Sequence, residues 1–453
     1  MTAVLADDLP PPPRPSVRAE LKPLLTLALP IVTGLAAATL MGVVDTVMIA
    51  PLGTEALAAA GVTVAVVIIA YSAIYGVLSV VGVRIANGFG ARDPSAVAAE
   101  VSNGLRTAWI VGLVGAAIMA AGFPLMRLTG QPPEVLDAAT GYWMALSALL
   151  VPFSLLIAMK AAFDAVDRPW TGTAITFAGV ALNVPLNLVL IHGIGPWEGL
   201  GLLGAGIGSV LAESLAALLA WGWWRRAAGF RRWNVSARPS RAGIGRQLRE
   251  GGPLALAYTA EGASWSIAGL MLGAFGAGAL AAHQVTASVT SVSYMVPLGM
   301  AAAVSVRIGQ ATGAGEGRRA RAIGLAALAM VVAWSGVMTV FYLLFGRAIG
   351  AALSDDPEVV PLVAALFATL ALMQVADAVQ STTVGALRGL LDTVTPTVVS
   401  IVAYWLVSLP LAWGLAVTAG LGPAWVWIGY AGGLAVAAVW LPIRFWRLTD
   451  QRG

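Results

Sequence analysis

Long apolar stretches dominate this chain, and they decide which solvent it can fold in. The stretches run for about 20 to 30 residues, which is enough for a helix to cross the hydrocarbon core of a bilayer with some tilt. Charged residues make up 11% of the chain, whereas a soluble protein carries about 25%. The chain therefore lacks the polar surface that folding in water requires, and its solvent is predicted to be largely lipid.

Helices are the spanning elements that fit these stretches. Lipid satisfies no backbone hydrogen bond, so membranes are crossed by helices or by closed barrels. Barrel strands alternate polar and apolar residues over about ten positions, and these stretches do not alternate. We predict an all-α polytopic membrane protein with twelve transmembrane helices. The predicted spans are residues 24–50, 56–86, 98–124, 135–163, 170–192, 201–224, 247–274, 279–308, 320–346, 358–386, 396–418 and 423–446.

A long internal repeat divides these spans into two halves. The stretch from Ala56 to Asp93 returns 223 residues later as Ala279 to Glu316 without a gap, and 15 of the 38 aligned positions are identical. Chance would give roughly four to five matches at this composition. Each half has an even number of spans, so the two six-helix lobes are predicted to be related by a pseudo-twofold axis along the membrane normal. Transporters with such repeats alternate access by rocking one lobe against the other.

The repeat and the polar segments give a predicted domain plan. Residues 1–23 are rich in proline and charge and lack the apolar core of a signal peptide. The plan comprises a disordered cytoplasmic N-terminal tail at 1–23, an N-lobe at 24–224, a cytoplasmic inter-lobe linker at 225–246, a C-lobe at 247–446 and a cytoplasmic C-terminal tail at 447–453.

Lysine and arginine set the predicted orientation. With the N-terminus inside, 24 of the 26 basic residues lie in cytoplasmic segments or at cytoplasmic helix ends, and Arg127 and Arg347 are the two that do not. This distribution follows the positive-inside rule. It predicts a multi-pass protein of the bacterial inner membrane with both termini in the cytoplasm, and it accounts for the net charge of +4 without a nucleic-acid partner.

Acidic residues inside the predicted spans mark candidate sites. An ionisable group at the bilayer centre costs at least about 2.5–3.5 kcal/mol, and the sequence places no basic residue at comparable depth. Each acid must then hold a proton or a cation, or be hydrogen-bonded to a neighbouring helix. The four acids are Asp45, Glu213, Glu261 and Asp377.

The four acids differ in their surroundings. Asp377 stands among Gln374, Gln380 and Ser381, and such an oxygen-rich setting suits a hard cation like Na⁺. Glu261 is in the middle of its span, whereas Asp45 is nearer the outer end, where snorkelling or capping would also explain it. The repeat does not duplicate these acids, because their aligned partners are apolar. Asp45 aligns with Ala268, Glu261 with Ala38 and Asp377 with Pro152.

Other polar residues are weaker candidates. Asn183 and Asn187 are one helical turn apart, and they could bind an ion or join two helices. Tyr294 shares a span with Gln284 and Ser288, and its ring could face a cation or simply pack. Acidic loops on the outer face, including the pair Asp355 and Asp356, would draw cations to that face, or they are what the charge rule leaves behind.

Several chemistries are excluded by absent motifs. The chain has no cysteine, so disulfides and cysteine-bound metals are excluded. It has no G-x-x-x-x-G-K-[ST] motif, no H-E-x-x-H and no G-x-S-x-G. We predict no enzymatic activity and no cofactor, and transport would have to draw on an ion gradient.

Several segments resemble the MATE (multidrug and toxic compound extrusion) family, and within it the NorM-type branch. The segments are LALPIVTGLAAATLMGVVDTVMIAPLGTEALAA in the first span, GGPLALAYTAEGAS in the seventh and PLGMAAAVSVRIGQATGAGE at the end of the eighth. The most specific is DAVQSTTVGALRGLLDTVTP, from Asp377 to Pro396, which is similar to that branch's D-x-x-Q…G-x-x-R-G…D-T motif. The resemblance covers essentially the whole chain after residue 20.

The resemblance implies a two-lobed antiporter that exports cationic lipophilic drugs and dyes in exchange for Na⁺ or H⁺. Glu261, Asp377 and Tyr294 would form the cation site, and Na⁺ would be its only metal. Asp45 would be the N-lobe acid, with Asn183 and Asn187 as polar partners. No obligate protein partner is implied, and we predict a monomer in the lipid bilayer. The residues expected to contact substrate are Asp355, Asp356, Gln284, Ser288 and Asp45.

Two other functions are weighed against this one. A flippase for a lipid-linked sugar precursor should have a large cationic cavity, and here the charges inside the spans are acidic. A membrane-embedded enzyme would need an acid/base or metal constellation at one membrane face. Asp164 and Asp167 are its only candidates, and they are typical of a loop cap. The choice between Na⁺ and H⁺ stays open.

Overall fold

The computed structural model describes residues 16–234, 237–354, 356 and 358–451. Within those residues the chain forms twelve long helices joined by short loops and 3₁₀ turns. The helices are α1 Val17–Ile49, α2 Thr54–Gly90, α3 Pro94–Gly122, α4 Pro133–Ala165, α5 Pro169–His192, α6 Gly201–Arg226, α7 Arg241–Met271, α8 Ala277–Gly313, α9 Gly317–Leu353, α10 Val359–Gly389, α11 Val394–Thr418 and α12 Ala424–Asp450.

Eleven of these helices are long and apolar enough to cross a membrane. The twelfth, α7, has 31 residues and packs against α2 and α11 inside the bundle. It is less apolar because it carries charged residues in its first turns and one in its middle. The charged residues of α7 are Arg241, Arg246, Arg249, Glu250 and Glu261. The predicted fold, all-α with twelve spans in two lobes, is confirmed.

The helix ends differ from the predicted domain boundaries. α1 begins at Val17, so residues 17–23 are helical and not a disordered tail; Ser16 caps the helix by accepting a hydrogen bond from the Ala19 amide at 3.2 Å. Proline is tolerated near such a helix start, which explains why Pro23 does not break it. Residues 1–15 lie outside the described residues.

The predicted linker and C-terminal tail are also partly helical. α6 continues to Arg226, and α7 begins at Arg241, where Ser240 accepts a hydrogen bond from the Gly243 amide at 3.0 Å. Between them Ala228–Trp233 forms a 3₁₀ turn. α12 runs through to Asp450, and residues 452–453 lie outside the described residues.

The two lobes have the same internal packing. In the N-lobe, α4 is central and contacts α2, α3, α5 and α6; in the C-lobe, α10 is central and contacts α8, α9 and α12. Each contact of the first set except α4 with α5 has its counterpart six helices later in the chain. This is the packing expected when a duplicated sequence folds twice in the same way.

Glycines that the two copies of the repeat share lie where the lobes meet. A Cβ atom at Gly76 would fall 2.5 Å from the Cα atom of Ala255 on α7, and one at Gly299 would overlap the side chain of Val32 on α1. Ala255 and Val32 are themselves 223 residues apart. The same pseudo-twofold axis therefore relates both close approaches of backbone across the lobe interface.

A second pair of shared glycines shows the same symmetry. A Cβ atom at Gly90 would overlap the carbonyl oxygen of Gln310, and one at Gly313 would overlap that of Asn87. Asn87 and Gln310 are again 223 residues apart. These positions require glycine because each lets α2 and α8 touch backbone to backbone.

The arginines that the repeat shares also cross between the lobes. Arg84 on α2 is paired with Glu250 on α7. Arg307 on α8 is paired with Glu20 on α1 at 3.0 Å, and Glu20 also accepts from Arg319 at 2.7 Å. Each lobe thus sends one arginine of its repeat copy to the first helix of the other lobe.

All these contacts lie in one half of the bundle, the half in which α1 begins and α12 ends. We call this end the basic end. Within the described residues no hydrogen bond or ion pair joins the lobes in the other half, so we call the opposite end the open end. The remaining inter-lobe hydrogen bonds at the basic end are Thr107 and Glu100 with Gln247, Asn103 with Ser240, and Gln310 with Asp167 and the carbonyl of Ala165.

Candidate functional site

Three helices of the C-lobe bring its two predicted acids together with a tyrosine. The Tyr294 hydroxyl on α8 donates to Glu261 Oε1 on α7 at 2.9 Å. Asp377 on α10 lies within electrostatic range of Glu261 and of Tyr294. Asp377 makes no hydrogen bond or ion pair with any described residue, so one of the two carboxylates is free to take a ligand.

A small cavity adjoins these residues on the side of the basic end. Most of its polar lining consists of hydroxyl, amide and carboxylate oxygens, which are the ligands that a hard cation prefers. Asp377 does not line this cavity itself. The polar lining residues are Tyr258, Glu261, Tyr294, Gln380, Ser381 and Ser400.

The far wall of the C-lobe site is built by α11, which carries a π turn at Val402–Ser408. Within that turn the buried Tyr404 donates to Gln380 Oε1 at 3.3 Å, and the Gln380 amide nitrogen donates to the Ser400 hydroxyl at 3.1 Å. π turns inside α-helices occur frequently at functional sites. Here the wider turn brings two polar side chains of α11 to one glutamine of α10.

The sequence reasoning missed the other tyrosines of this site. Four of the eight tyrosines in the chain surround the acids, and Tyr430 of α12 shares a hydrogen bond of 2.7 Å with the Ser264 hydroxyl, one turn from Glu261. A phenol inside a span needs a hydrogen-bond partner. The scarcity of tyrosine, with four of them at depth in the second half, was the signal available.

Arg388 is the main correction to the sequence reasoning about charges. The sequence assigns it to a basic helix end, and it does lie in the last turn of α10, but its side chain is 1% exposed. The guanidinium donates to the Tyr258 hydroxyl at 3.0 Å and to the Ala301 carbonyl at 3.0 Å. The acids therefore have a buried basic residue one helical turn beyond Tyr258, although no described carboxylate pairs with it.

The N-lobe contributes a tyrosine to this layer, which closes the site toward the basic end. Tyr75 of α2 packs edge-on against Tyr258 with 5.5 Å between ring centroids, and its hydroxyl lies within hydrogen-bonding reach of Arg388. Tyr75, Tyr258 and Arg388 thus form a hydrogen-bonded layer across the lobe interface. The acids lie on its other side, toward the open end.

The N-lobe also brings its predicted polar residues together, in a different arrangement. Asp45 Oδ1 on α1 accepts from the Asn187 amide nitrogen at 2.7 Å. The same amide donates to Asn183 Oδ1 at 3.1 Å, and Asn183 donates to the Ser209 hydroxyl at 3.3 Å. Asp45 is therefore held in a chain of amide and hydroxyl groups from α5 and α6, with no second carboxylate bonded to it.

Glu213 is the fourth acid, and it belongs to the same region. It lies one turn after Ser209 on α6, and both Glu213 and Asp45 are within electrostatic range of Tyr71. Tyr71 is the repeat counterpart of Tyr294. Glu213 makes no hydrogen bond with a described residue, so it resembles Asp377 in being without a direct partner.

The predicted substrate contacts lie toward the open end. Gln284 and Ser288 are exposed on one face of α8, and the face continues through Ser291 to Tyr294. Polar side chains exposed at membrane depth are expected to face a water-filled cavity and not lipid. Asp356 accepts from the Glu358 amide at 2.9 Å, so its carboxylate has a local role at the start of α10, and Asp355 lies outside the described residues.

A polydentate metal centre is not part of this arrangement. Within the described ranges there is no group of three or more histidine, aspartate or glutamate side chains placed to hold a metal ion. Two carboxylates supplemented by hydroxyl and amide oxygens do fit a monovalent cation such as Na⁺. A proton on either carboxylate would satisfy the same charge.

Comparison with known sequences agrees with the two-lobed structure. The sequence model of the MatE family matches residues 30–189 and 253–413, one block in each lobe. The chain is 35% identical to the probable multidrug resistance protein NorM of Pseudomonas aeruginosa over 94% of this chain and 89% of that protein. It is also 35% identical to the probable multidrug resistance protein NorM of Deinococcus radiodurans, over 96% of this chain and 97% of that one.

Solved structures share the fold at lower sequence identity. A multidrug resistance MATE family transporter of the MOP superfamily, in its outward-facing conformation, has a TM-score of 0.85 at 21% identity, covering 95% of this chain and 97% of the other. The eukaryotic MATE transporter AtDTX14 also has a TM-score of 0.85 at 21% identity, with 96% and 98% covered. On the extent of these matches, the chain belongs to the MATE (MatE) family of membrane transporters, in its NorM-type branch.

Proposed function

We propose that this protein is a secondary active multidrug efflux antiporter that exports cationic lipophilic compounds in exchange for Na⁺ or H⁺. The observation that carries the proposal is the pair Glu261 and Asp377, two carboxylates within electrostatic range of each other, of which one has no described partner. Two neighbouring carboxylates cannot both stay ionised at depth without a positive charge between them. A proton, Na⁺ or a cationic drug would each supply that charge.

Competition for this charge would couple the two transported species. A coupling cation at Glu261 and Asp377 neutralises the site and lowers its affinity for a cationic substrate, and reciprocity requires the substrate to lower affinity for the cation equally. The coupling cation enters from outside and releases the substrate, the lobes rock, and the cation leaves on the inner side. Substrate then replaces it for the return step.

The positions of the inter-lobe contacts support alternating access. We infer that the basic end faces the cytoplasm of a bacterial cell, with both termini inside, because the positive-inside rule puts arginine and lysine there. The site would then be open to the outside and closed to the cytoplasm by the layer of Tyr75, Tyr258 and Arg388. Rocking would have to break the ion pairs of Glu250 and Glu20 and separate the paired glycines.

A substrate route follows from the same orientation. Gln284 and Ser288 form a polar stripe on α8 that leads from the open end to Tyr294, and Asp356 stands at the mouth. Asp45 would offer a second negative charge on the opposite wall. A lipophilic cation could contact this stripe and the neighbouring apolar surface while its charge is drawn to the acids.

The decisive experiment is efflux of a fluorescent cation such as ethidium from proteoliposomes under separately imposed Na⁺ and pH gradients. Wild type is expected to respond to at least one gradient, which identifies the coupling ion. The double variant Glu261→Gln with Asp377→Asn is expected to respond to neither. Glu358→Gln, which removes an exposed carboxylate in the loop before α10, is the matched control and should behave as wild type.

Full gradient-driven efflux by the double variant would refute the proposed coupling site. The flippase alternative is not favoured, because the ionisable groups that line the described cavity are acidic and a pyrophosphate would be repelled. The one buried basic residue nearby, Arg388, donates to neighbours in the lobe and is covered by Tyr75. A monomer is sufficient for this mechanism, since one chain supplies both lobes.

A further inference from the structure

The segment between the lobes concentrates more unpaired positive charge than any other part of the basic end. Residues 214–249 contain eight arginines and no aspartate, glutamate or lysine. Six of the arginines have exposed side chains, and none of the six has a carboxylate partner within the described residues. They are Arg225, Arg226, Arg231, Arg232, Arg238 and Arg241.

Other arginines at the basic end are used differently. Arg84, Arg307 and Arg319 pair with glutamates across the lobe interface, and Arg444 pairs with Asp392 at 2.9 Å. Those side chains hold helices together. The exposed arginines of the inter-lobe segment have no comparable structural task, so their charge is available to an external anion.

Aromatic packing fixes this segment beneath the N-lobe. Phe230 and Trp233 are each 4% exposed, and they lie on one side of the 3₁₀ turn Ala228–Trp233, because side chains three residues apart align in such a turn. Phe230 packs edge-on against Phe163 of α4 at 5.4 Å and against Trp224 of α6 at 5.1 Å between centroids. The turn is therefore attached to the lobe by its apolar side.

The same attachment turns the arginine pair outward. Arg231 and Arg232 lie between the two buried aromatic residues and must point away from them. Asn234 closes the segment by donating from its side-chain amide to the Trp224 carbonyl at 2.7 Å and to the Arg225 carbonyl at 3.1 Å. A plain flexible loop would satisfy the positive-inside rule equally well, but it would not hold two arginine pairs in a fixed position.

Tryptophans place this charged surface at the level of lipid headgroups. Trp221 and Trp223 are about half exposed in the last turns of α6, as expected of side chains at a membrane interface. The Arg225 guanidinium lies 5.7 Å from the Trp221 ring, and that of Arg232 lies 4.1 Å from the Trp233 ring. Clusters of four to eight basic residues just beyond a transmembrane helix bind anionic lipids.

We propose that the surface formed by Arg225, Arg226, Arg231 and Arg232 binds the headgroups of anionic phospholipids. The phosphate of one lipid would be shared by guanidinium groups from both pairs, and its acyl chains would lie along the end of α6 beside Trp221 and Trp223. Which leaflet supplies the lipid rests on the proposed orientation. Binding itself rests only on the fixed charge and its position at the interface.

Native mass spectrometry of the full-length protein in mild detergent tests this, titrated separately with phosphatidylglycerol and with phosphatidylcholine of the same acyl chains. Wild type is expected to retain phosphatidylglycerol preferentially. From the contribution of each arginine near an anionic surface, the variant R231Q/R232Q should bind it about 30-fold more weakly. R225Q/R226Q should weaken binding by a similar factor. The readout is lipid retention, so it is independent of whether the protein transports any drug.

The matched control is R318Q/R447Q, which removes two exposed arginines at the same end of the bundle but outside this segment. It should retain phosphatidylglycerol as wild type does. Equal losses in control and test variants would show that only net charge matters and would overturn the proposal. Full displacement of the lipid by an equal concentration of inorganic phosphate, or tighter binding of a short RNA, would overturn it as well.

Discussion

The acids of the two lobes are held in opposite ways, although the helices that carry them are copies of each other. Asp45 of the N-lobe accepts from Asn187, which is joined in turn to Asn183 and Ser209. Glu261 of the C-lobe accepts from one tyrosine and shares its surroundings with a second carboxylate. By the repeat alignment Asp45 corresponds to Ala268, so it lies two helical turns nearer the open end than Glu261.

The difference teaches which lobe needs a cation. Amide donors compensate the negative charge of Asp45 permanently, because they are neutral and cannot dissociate. The C-lobe pair has one donated hydrogen bond for two carboxylates, so its charge is incompletely compensated unless a cation or proton binds. We therefore expect coupling to be concentrated in the C-lobe and the N-lobe acid to shape the cavity.

The largest expected effect comes from neutralising one acid in each lobe. Glu261→Gln should lower gradient-driven ethidium efflux at least about 100-fold, equivalent to about 2.7 kcal/mol, because the site loses its bonded carboxylate. Asp45→Asn should lower it by about tenfold or less, since the amide chain can rebond to a neutral acceptor. Proteoliposome efflux rates check both. If Asp45→Asn is the more severe variant, the comparison of the lobes is wrong.

A smaller effect is expected from the ion pairs that close the basic end. Arg84 has Glu250 as its partner, whereas the counterpart pair of Arg307 with Glu20 is supported by Arg319. Loss of a charge-assisted hydrogen bond costs about 1.5–3 kcal/mol, so Arg84→Gln should destabilise the closed basic end by about that amount. Arg307→Gln should do so less, because Glu20 keeps a second partner.

Spin-label distances measure this closure directly. The chain has no cysteine, so Ala91→Cys and Ala314→Cys place labels on symmetry-related loops without background. Arg84→Gln should shift the distance distribution toward longer values, and the exchanged pair R84E/E250R should restore it. An unchanged distribution in Arg84→Gln would mean that the ion pair does not hold the lobes together.

The shared glycines give a third test, with effects expected to be about equal in the two lobes. Gly76→Ala and Gly299→Ala each insert a methyl group where the partner helix already stands, and such overpacking costs about 1–3 kcal/mol. Both should open the basic end in the spin-label measurement. Gly61→Ala on α2 is the control, because nothing lies within 4 Å of its Cβ position. Unequal effects of the first two would break the pseudo-twofold symmetry of the interface.

The repeat tyrosines should give the smallest effect and the clearest difference between lobes. Tyr294→Phe removes the hydrogen bond to Glu261, a loss of about 1 kcal/mol, and should weaken efflux about fivefold. Tyr71→Phe removes a hydroxyl with no described hydrogen bond, so efflux should stay near wild type. The same proteoliposome assay distinguishes them, and an equal loss in both would indicate that Tyr71 has a role of its own.

Much of the candidate site could be predicted because it rests on rare residues. Acids inside apolar spans stand out in any such sequence, and Asp45, Glu261 and Asp377 were found in this way. The buried side chains of Arg388 and Tyr404 were not found. An arginine near a helix end normally reaches water, and nothing local to Arg388 indicates that Tyr258 and Ala301 cover it.

By itself the sequence determined the solvent, the helices and the duplication. These properties depend on composition and on local order along the chain, and the energies involved are summed over many residues. The identical residues of the repeat were visible as well, but the sequence did not show that Gly76, Arg84 and their counterparts face the other lobe. That was decided by the tertiary structure, because contacts between residues more than 150 positions apart are set by how whole helices pack. The same packing leaves Asp377 without a partner while Asp45 has its amides, and this difference separates the two acids in function.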